Sequence, residues 1–92
     1  MSNDPIVIPA DPNDPEDRDV TASMLERGLR GREVRRARNA LGLTQAQFAE
    51  RFHVPLGTLR DWEQGRATAP DFAMAYVRVI AKHPELVAAA VA

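Results

Sequence analysis

Few side chains in this 92-residue chain can do covalent chemistry. Ser2 and Ser23 offer the serine hydroxyls, and neither has a histidine close by in sequence to act as base. His53 lies beside Val54-Pro55 and His83 precedes Pro84, and neither has a second histidine at ligand spacing. There is no cysteine, which excludes a disulfide framework, a cysteine-based zinc site and a thiol nucleophile together. With no paired-carboxylate or glycine-rich phosphate motif either, the chain is expected to be a non-enzyme with no metal and no cofactor. What remains is reversible hydrogen bonding. Thr58, Arg60, Asp61 and Gln64 lie close together, with Arg66 just beyond and Gln45 one element earlier. An arginine fork can grip guanine or phosphate, and an aspartate can accept from a cytosine amine.

Helices must position these groups. Thr44-Gln45-Ala46-Gln47 is a capping box, whose hydroxyl and amide satisfy unpaired donors at a helix start, so a helix is expected over 44–52. His53-Val54-Pro55 reads as a turn, and the next helix runs from Pro55 or Leu56 to Gln64, stopped by Gly65. Upstream, Val34, Ala37, Arg38 and Leu41 share one face of a helix over 31–41, with Gly42 as its stop. Met24, Leu25 and Leu29, with a Ser23/Glu26 capping box, suggest a short preceding helix from Val20, broken by Gly28 and Gly31. Downstream, Ala73, Tyr76, Val77 and Ile80 keep helical spacing up to Lys82, and Pro84 suits the first position of a last helix over 84–91. No segment alternates with period two long enough to be a strand. The fold class is all-α: a five-helix domain over 20–92.

Residues 1–19 differ in kind. Pro5, Pro9, Pro12 and Pro15 stand among aspartates, and proline fixes φ and removes the amide a helix needs. This stretch is expected to be an extended or disordered acidic arm with one apolar island, Ile6-Val7-Ile8. The formal net charge of −1 therefore hides an asymmetry. Residues 1–20 carry six carboxylates against Arg18 alone, whereas the rest holds 11 basic and 7 acidic side chains. The start of the chain has no basic segment, and the apolar run from Leu86 is far short of a bilayer span, so neither secretion signal nor membrane anchor is expected. A cytoplasmic location fits.

The run Leu43-Thr44-Gln45-Ala46-Gln47-Phe48-Ala49-Glu50-Arg51-Phe52, followed by Val54, Thr58-Leu59 and Trp62-Glu63-Gln64-Gly65, resembles the helix-turn-helix of phage-repressor-like (Xre/Cro) regulators. It is most similar to the HigA-like branch of type II antitoxins, in which a Pro-Leu-Gly-Thr-Leu-Arg run opens the second helix. Ala49 leaves room for the second helix to cross, and Phe48, Phe52, Val54, Leu59 and Trp62 lock the crossing. The resemblance implies that Leu56, Gly57 and Asp61 face the bases of operator DNA. It further implies that Gln45 reaches a phosphate and that Thr58 and Gln64 lie near the backbone. On chemistry, Leu56 can touch only a thymine methyl and Gly57 reads nothing, which makes Arg60 the strongest candidate on this helix. Arg35, Arg36, Arg51 and Arg66 are candidates for phosphate contact or simply solvated charges. The resemblance assigns Arg38 and Glu63 to a partly buried ion pair and Trp62 to core packing.

The same resemblance implies a partner, a small basic RelE-like ribonuclease toxin. Ile6, Val7, Ile8, Asp11, Asp14 and Asp17 are then the expected contacts of the acidic arm. Phe72, Met74, Leu86, Val87 and Val91 exceed what one small core needs, and two half-sites require two recognition helices, so a homodimer through 72–91 is expected. Three functions stand: an antitoxin repressing its own operon, an orphan Xre-type regulator without a toxin, and a helix-turn-helix used only as a protein-interaction scaffold.

Overall fold

The computed structural model describes the backbone from Pro15 to Ala92 and the side chains from Ala22 onward. Five helices and no strand are present among the described residues: α1 Pro15–Ala40, α2 Gln45–Phe52, α3 Leu56–Glu63, α4 Asp71–Lys82 and α5 Pro84–Val91.

Helix α1 corrects two expectations. Residues 15–19 belong to it instead of to an extended arm, because a proline at the first helical position loses no intrahelical bond. Asp17 is therefore helical, while Ile6, Val7, Ile8, Asp11 and Asp14 lie outside the described residues. Nor does α1 break: Ser23, expected as a cap, lies inside it, and Gly28 and Gly31 are both passed without interruption. Gly31 is there for a different reason. A Cβ at this position would clash with the carbonyl oxygen of Trp62 and lie 3.3 Å from that of Glu63, so α1 meets the end of α3 backbone to backbone.

Helix α2 begins as its sequence dictates. The Thr44 hydroxyl accepts from the Gln47 amide at 3.1 Å, and the Gln47 side chain accepts from the Thr44 amide at 2.9 Å. His53 ends the helix in the left-handed region (φ 60°), and Val54 N–H then bonds back to the Ala49 carbonyl at 3.0 Å. From α4, the Tyr76 hydroxyl donates to the Phe52 carbonyl at 2.7 Å, fixing this turn from outside. Helix α3 starts straight after, and Gly65 (φ 73°) turns the chain away at its end.

Phe48, Phe52, Leu59, Ile80, Val34 and Val77 are fully buried and join α1 through α4 in one core, with Val87 of α5 added at its edge. Each such side chain contributes about 1.5–3 kcal/mol relative to exposure. Phe48 and Phe52, one turn apart, pack with ring centroids 4.9 Å apart. Met74 and Val87 are also buried within the single chain, which corrects their assignment to a dimer face. Phe72 and Leu86 remain exposed, at 78% and 69%, and Val91 is half-buried.

Candidate nucleic-acid interface

Helix α3 turns Leu59 and Glu63 inward and packs Leu56 and Trp62 partly against the core. At about 100° per residue, the opposite face is centred on Gly57, Asp61 and Gln64, with Arg60 on one flank and Thr58 on the other. Gly57, Arg60 and Gln64 are exposed, and Asp61 and Thr58 are half-buried. Leu56 is thus shared between the core and the edge of this face. A Cβ at Gly57 would touch nothing, so the approach to Asp61, one turn on, is open.

A charged lock holds the far end of α3. The Arg38 guanidinium donates Nε to Glu63 Oε2 and Nη2 to Oε1, both at 2.8 Å, and Nη1 to the Leu43 carbonyl at 3.0 Å. Gln45 Nε2 adds a bond to Glu63 Oε1 at 3.1 Å, so the side chain expected at a phosphate ties the start of α2 to the end of α3. Burial pushes the Glu63 carboxyl up, but the hydrogen bonds from Arg38 and Gln45 and the charges of Arg38 and Arg35 outweigh it and hold it below the usual range. The bond to Glu63 likewise raises Arg38. The Glu63 side chain is only 2% exposed, so its charge depends on these partners.

Three further arginines of α1 reach the end of α3 and the loop that follows it. Arg27 donates to the Gly65 carbonyl at 3.0 Å, Arg30 to Ala69 at 2.7 Å and Arg35 to Glu63 at 2.7 Å. A helix C-terminus leaves carbonyls unpaired and carries partial negative charge, and guanidinium groups answer both needs. Arg27 and Arg30 were not singled out from sequence. The available signal was the spacing Arg27, Gly31, Arg35, Arg38, which puts three arginines and the small residue on one helical stripe.

The remaining cations divide clearly. Arg51 stands 3.6 Å from Glu85 and over the Phe52 ring, Arg78 is paired with Glu33, and Arg66 is paired with Asp61. Arg32, Arg36, Arg60 and Lys82 have no ion-pair partner among the described residues, and of these Arg60 alone lies on α3. Much of the basic charge downstream of the arm is therefore spent inside the chain.

Two short helices crossing at a tight turn, the second held from behind and bare outward, define a helix-turn-helix DNA-binding regulator. The family described as Helix-turn-helix matches residues 34–87, and the chain belongs to that family, in its Xre-type form. The crystal structure of an HTH XRE-family like protein from Agrobacterium tumefaciens is similar at 52% sequence identity, with a TM-score of 0.63. The match covers 65% of this chain and 97% of that one. Residues 1–33 lie outside the family match. No helix among the described residues is long and apolar enough to cross a membrane.

Proposed function

We propose that the chain is a transcriptional repressor that binds operator DNA as a homodimer in the cytoplasm. We further propose that it is the antitoxin of a type II pair, repressing its own operon. The observation that carries the reading is the outward face of α3, where Gly57, Arg60, Asp61 and Gln64 stand free of the core while the Arg38–Glu63 pair fixes the helix behind them. Such a helix enters a major groove with base edges against that face, while Thr58 lies beside the phosphates. Dimerisation through Phe72 and Leu86 would supply the second recognition helix.

The antitoxin role rests on the arm. Six carboxylates within the first 20 residues repel a phosphate backbone and suit a basic protein, as a RelE-like ribonuclease with a positive RNA-binding face would be. Deleting residues 2–14 should then abolish neutralisation of such a toxin while leaving DNA binding in place. Full neutralisation by the truncated chain would remove the arm from the mechanism.

Binding to a duplex spanning the chain's own promoter tests the DNA reading. Affinity should fall as salt rises, with a log–log slope of about −0.9 per phosphate contacted, and Arg60→Ala should weaken binding at least tenfold. Unchanged promoter occupancy in Arg60→Ala, or binding to protein partners with none to DNA, would favour the scaffold reading instead.

A further inference from the structure

Helix α3 ends in an arrangement that its role as a generic groove helix does not require. Asp61 Oδ1 accepts a hydrogen bond from Arg66 Nε at 3.0 Å and forms an ion pair with Arg66 Nη2 at 2.9 Å. The backbone holds the two together as well: the amides of Arg66 and Ala67 both donate to the Asp61 carbonyl, at 2.9 and 3.3 Å, where Gly65 reverses the chain. Arg66 is thereby folded back over the last turn of the helix. Among the described residues, Asp61 Oδ2 and Arg66 Nη1 have no partner. The open surface at Gly57 lies one turn ahead of them.

We infer that Asp61 and Arg66 act as one reading unit that selects a C·G base pair in each half-site. The inference rests on the DNA-binding reading above. Within the pair, the free carboxylate oxygen is an acceptor, and Nη1, on the far side of the guanidinium carbon from the carboxylate, is a donor. In a major groove the cytosine N4 amine supplies a donor, and guanine O6 and N7 supply acceptors. A C·G pair answers both at once. Thymine presents an acceptor to the carboxylate and is rejected, and a phosphate is rejected more strongly because the charges are alike. An A·T pair also offers one amine and two acceptors, but its amine stands between adenine N7 and thymine O4, whereas in C·G the amine stands at one side and both guanine acceptors at the other, the order that a separated acceptor and donor match. The negative charge on the reading face thus works against sequence-independent binding, and tethering Arg66 keeps that arginine from becoming one more phosphate contact.

The test selects sequences from a random-core duplex library with the full-length wild-type chain and with Asp61→Ala, Asp61→Asn and Arg66→Ala. Both positions are surface-accessible, and thermal melts establish that each variant is folded. The wild type should enrich a motif with a fixed C·G pair in each half-site. That position should lose about 10–100-fold of its discrimination in Asp61→Ala and Arg66→Ala. In Asp61→Asn it should shift toward A·T, because an amide can both accept from and donate to adenine. Asp61→Ala should also bind a non-specific duplex more tightly, with a salt slope steeper by about 0.9 as Arg66 moves to a phosphate. A motif identical in wild type and Asp61→Asn would overturn the inference while leaving the protein a DNA binder. A wild-type chain that enriches no motif would instead overturn the DNA-binding reading on which it stands.

Discussion

Gly31 of α1 lies directly against the backbone carbonyl of Trp62 at the end of α3, close enough that no side chain fits between them. The recognition helix is aimed by this contact. With a hydrogen atom at the crossing, the arginines on either side can reach the carbonyls of Glu63, Gly65 and Ala69, and Arg38 can reach the Glu63 carboxylate.

The two glycines of α1 should therefore respond to alanine with opposite signs. Gly28→Ala places a methyl where nothing lies within 4 Å and should stabilise the chain by up to about 1 kcal/mol through helix propensity. Gly31→Ala forces the two helices apart and should cost about 1–3 kcal/mol. Urea denaturation of the two variants reads both, and equal effects would refute the close crossing.

Removing Arg38 should damage the fold more than any surface arginine. Arg38→Ala leaves Glu63 buried with Gln45 as its remaining side-chain partner, at a cost of about 3–5 kcal/mol. Arg38→Met combined with Glu63→Leu should lose less than the single change, because no unpaired charge is left behind. A double variant as unstable as Arg38→Ala would mean that packing, not charge, sets the loss.

Acid should release the same lock. Because the folded state holds Glu63 below its ordinary value of 4.5, its stabilising contribution is complete above that value and is lost as the pH falls through the depressed one. Denaturation midpoints measured from neutral into acid should fall over this window, and Glu63→Gln should flatten that part of the curve. A profile that is the same in wild type and Glu63→Gln would place the acid sensitivity elsewhere.

His53 occupies left-handed backbone at φ 60° at the turn between α2 and α3, with its side chain exposed. A non-glycine residue costs about 1–2 kcal/mol there, part of which glycine returns as unfolded-state entropy. His53→Gly should raise stability by about 0.5–1 kcal/mol without moving α3, which calorimetry and DNA affinity together check.

Dimerisation through the last two helices makes its own demand. Phe72→Asp with Leu86→Asp should shift sedimentation from dimer to monomer and leave the melting of the monomer fold nearly unchanged, since both side chains lie on the surface. A monomeric wild-type chain at high micromolar concentration would exclude the homodimer.

Local information was sufficient for the helix-turn-helix itself. The Thr44–Gln47 capping box, the apolar spacing of Phe48, Phe52 and Leu59, and the stop at Gly65 each act within a few residues, so they could be read along the chain. The charge split between the arm and the rest is likewise a property of order alone. The tertiary structure decided what could not be read that way. Gly28 and Gly31 look alike in sequence as helix breakers, yet only the backbone of α3 distinguishes an open site from a crossing. Arg35 and Gln45 look free to meet phosphate until Glu63 and its carbonyl are brought beside them from residues far along the chain. The partner of a charged side chain is chosen by which acceptors the packed core delivers to it, and that choice is non-local.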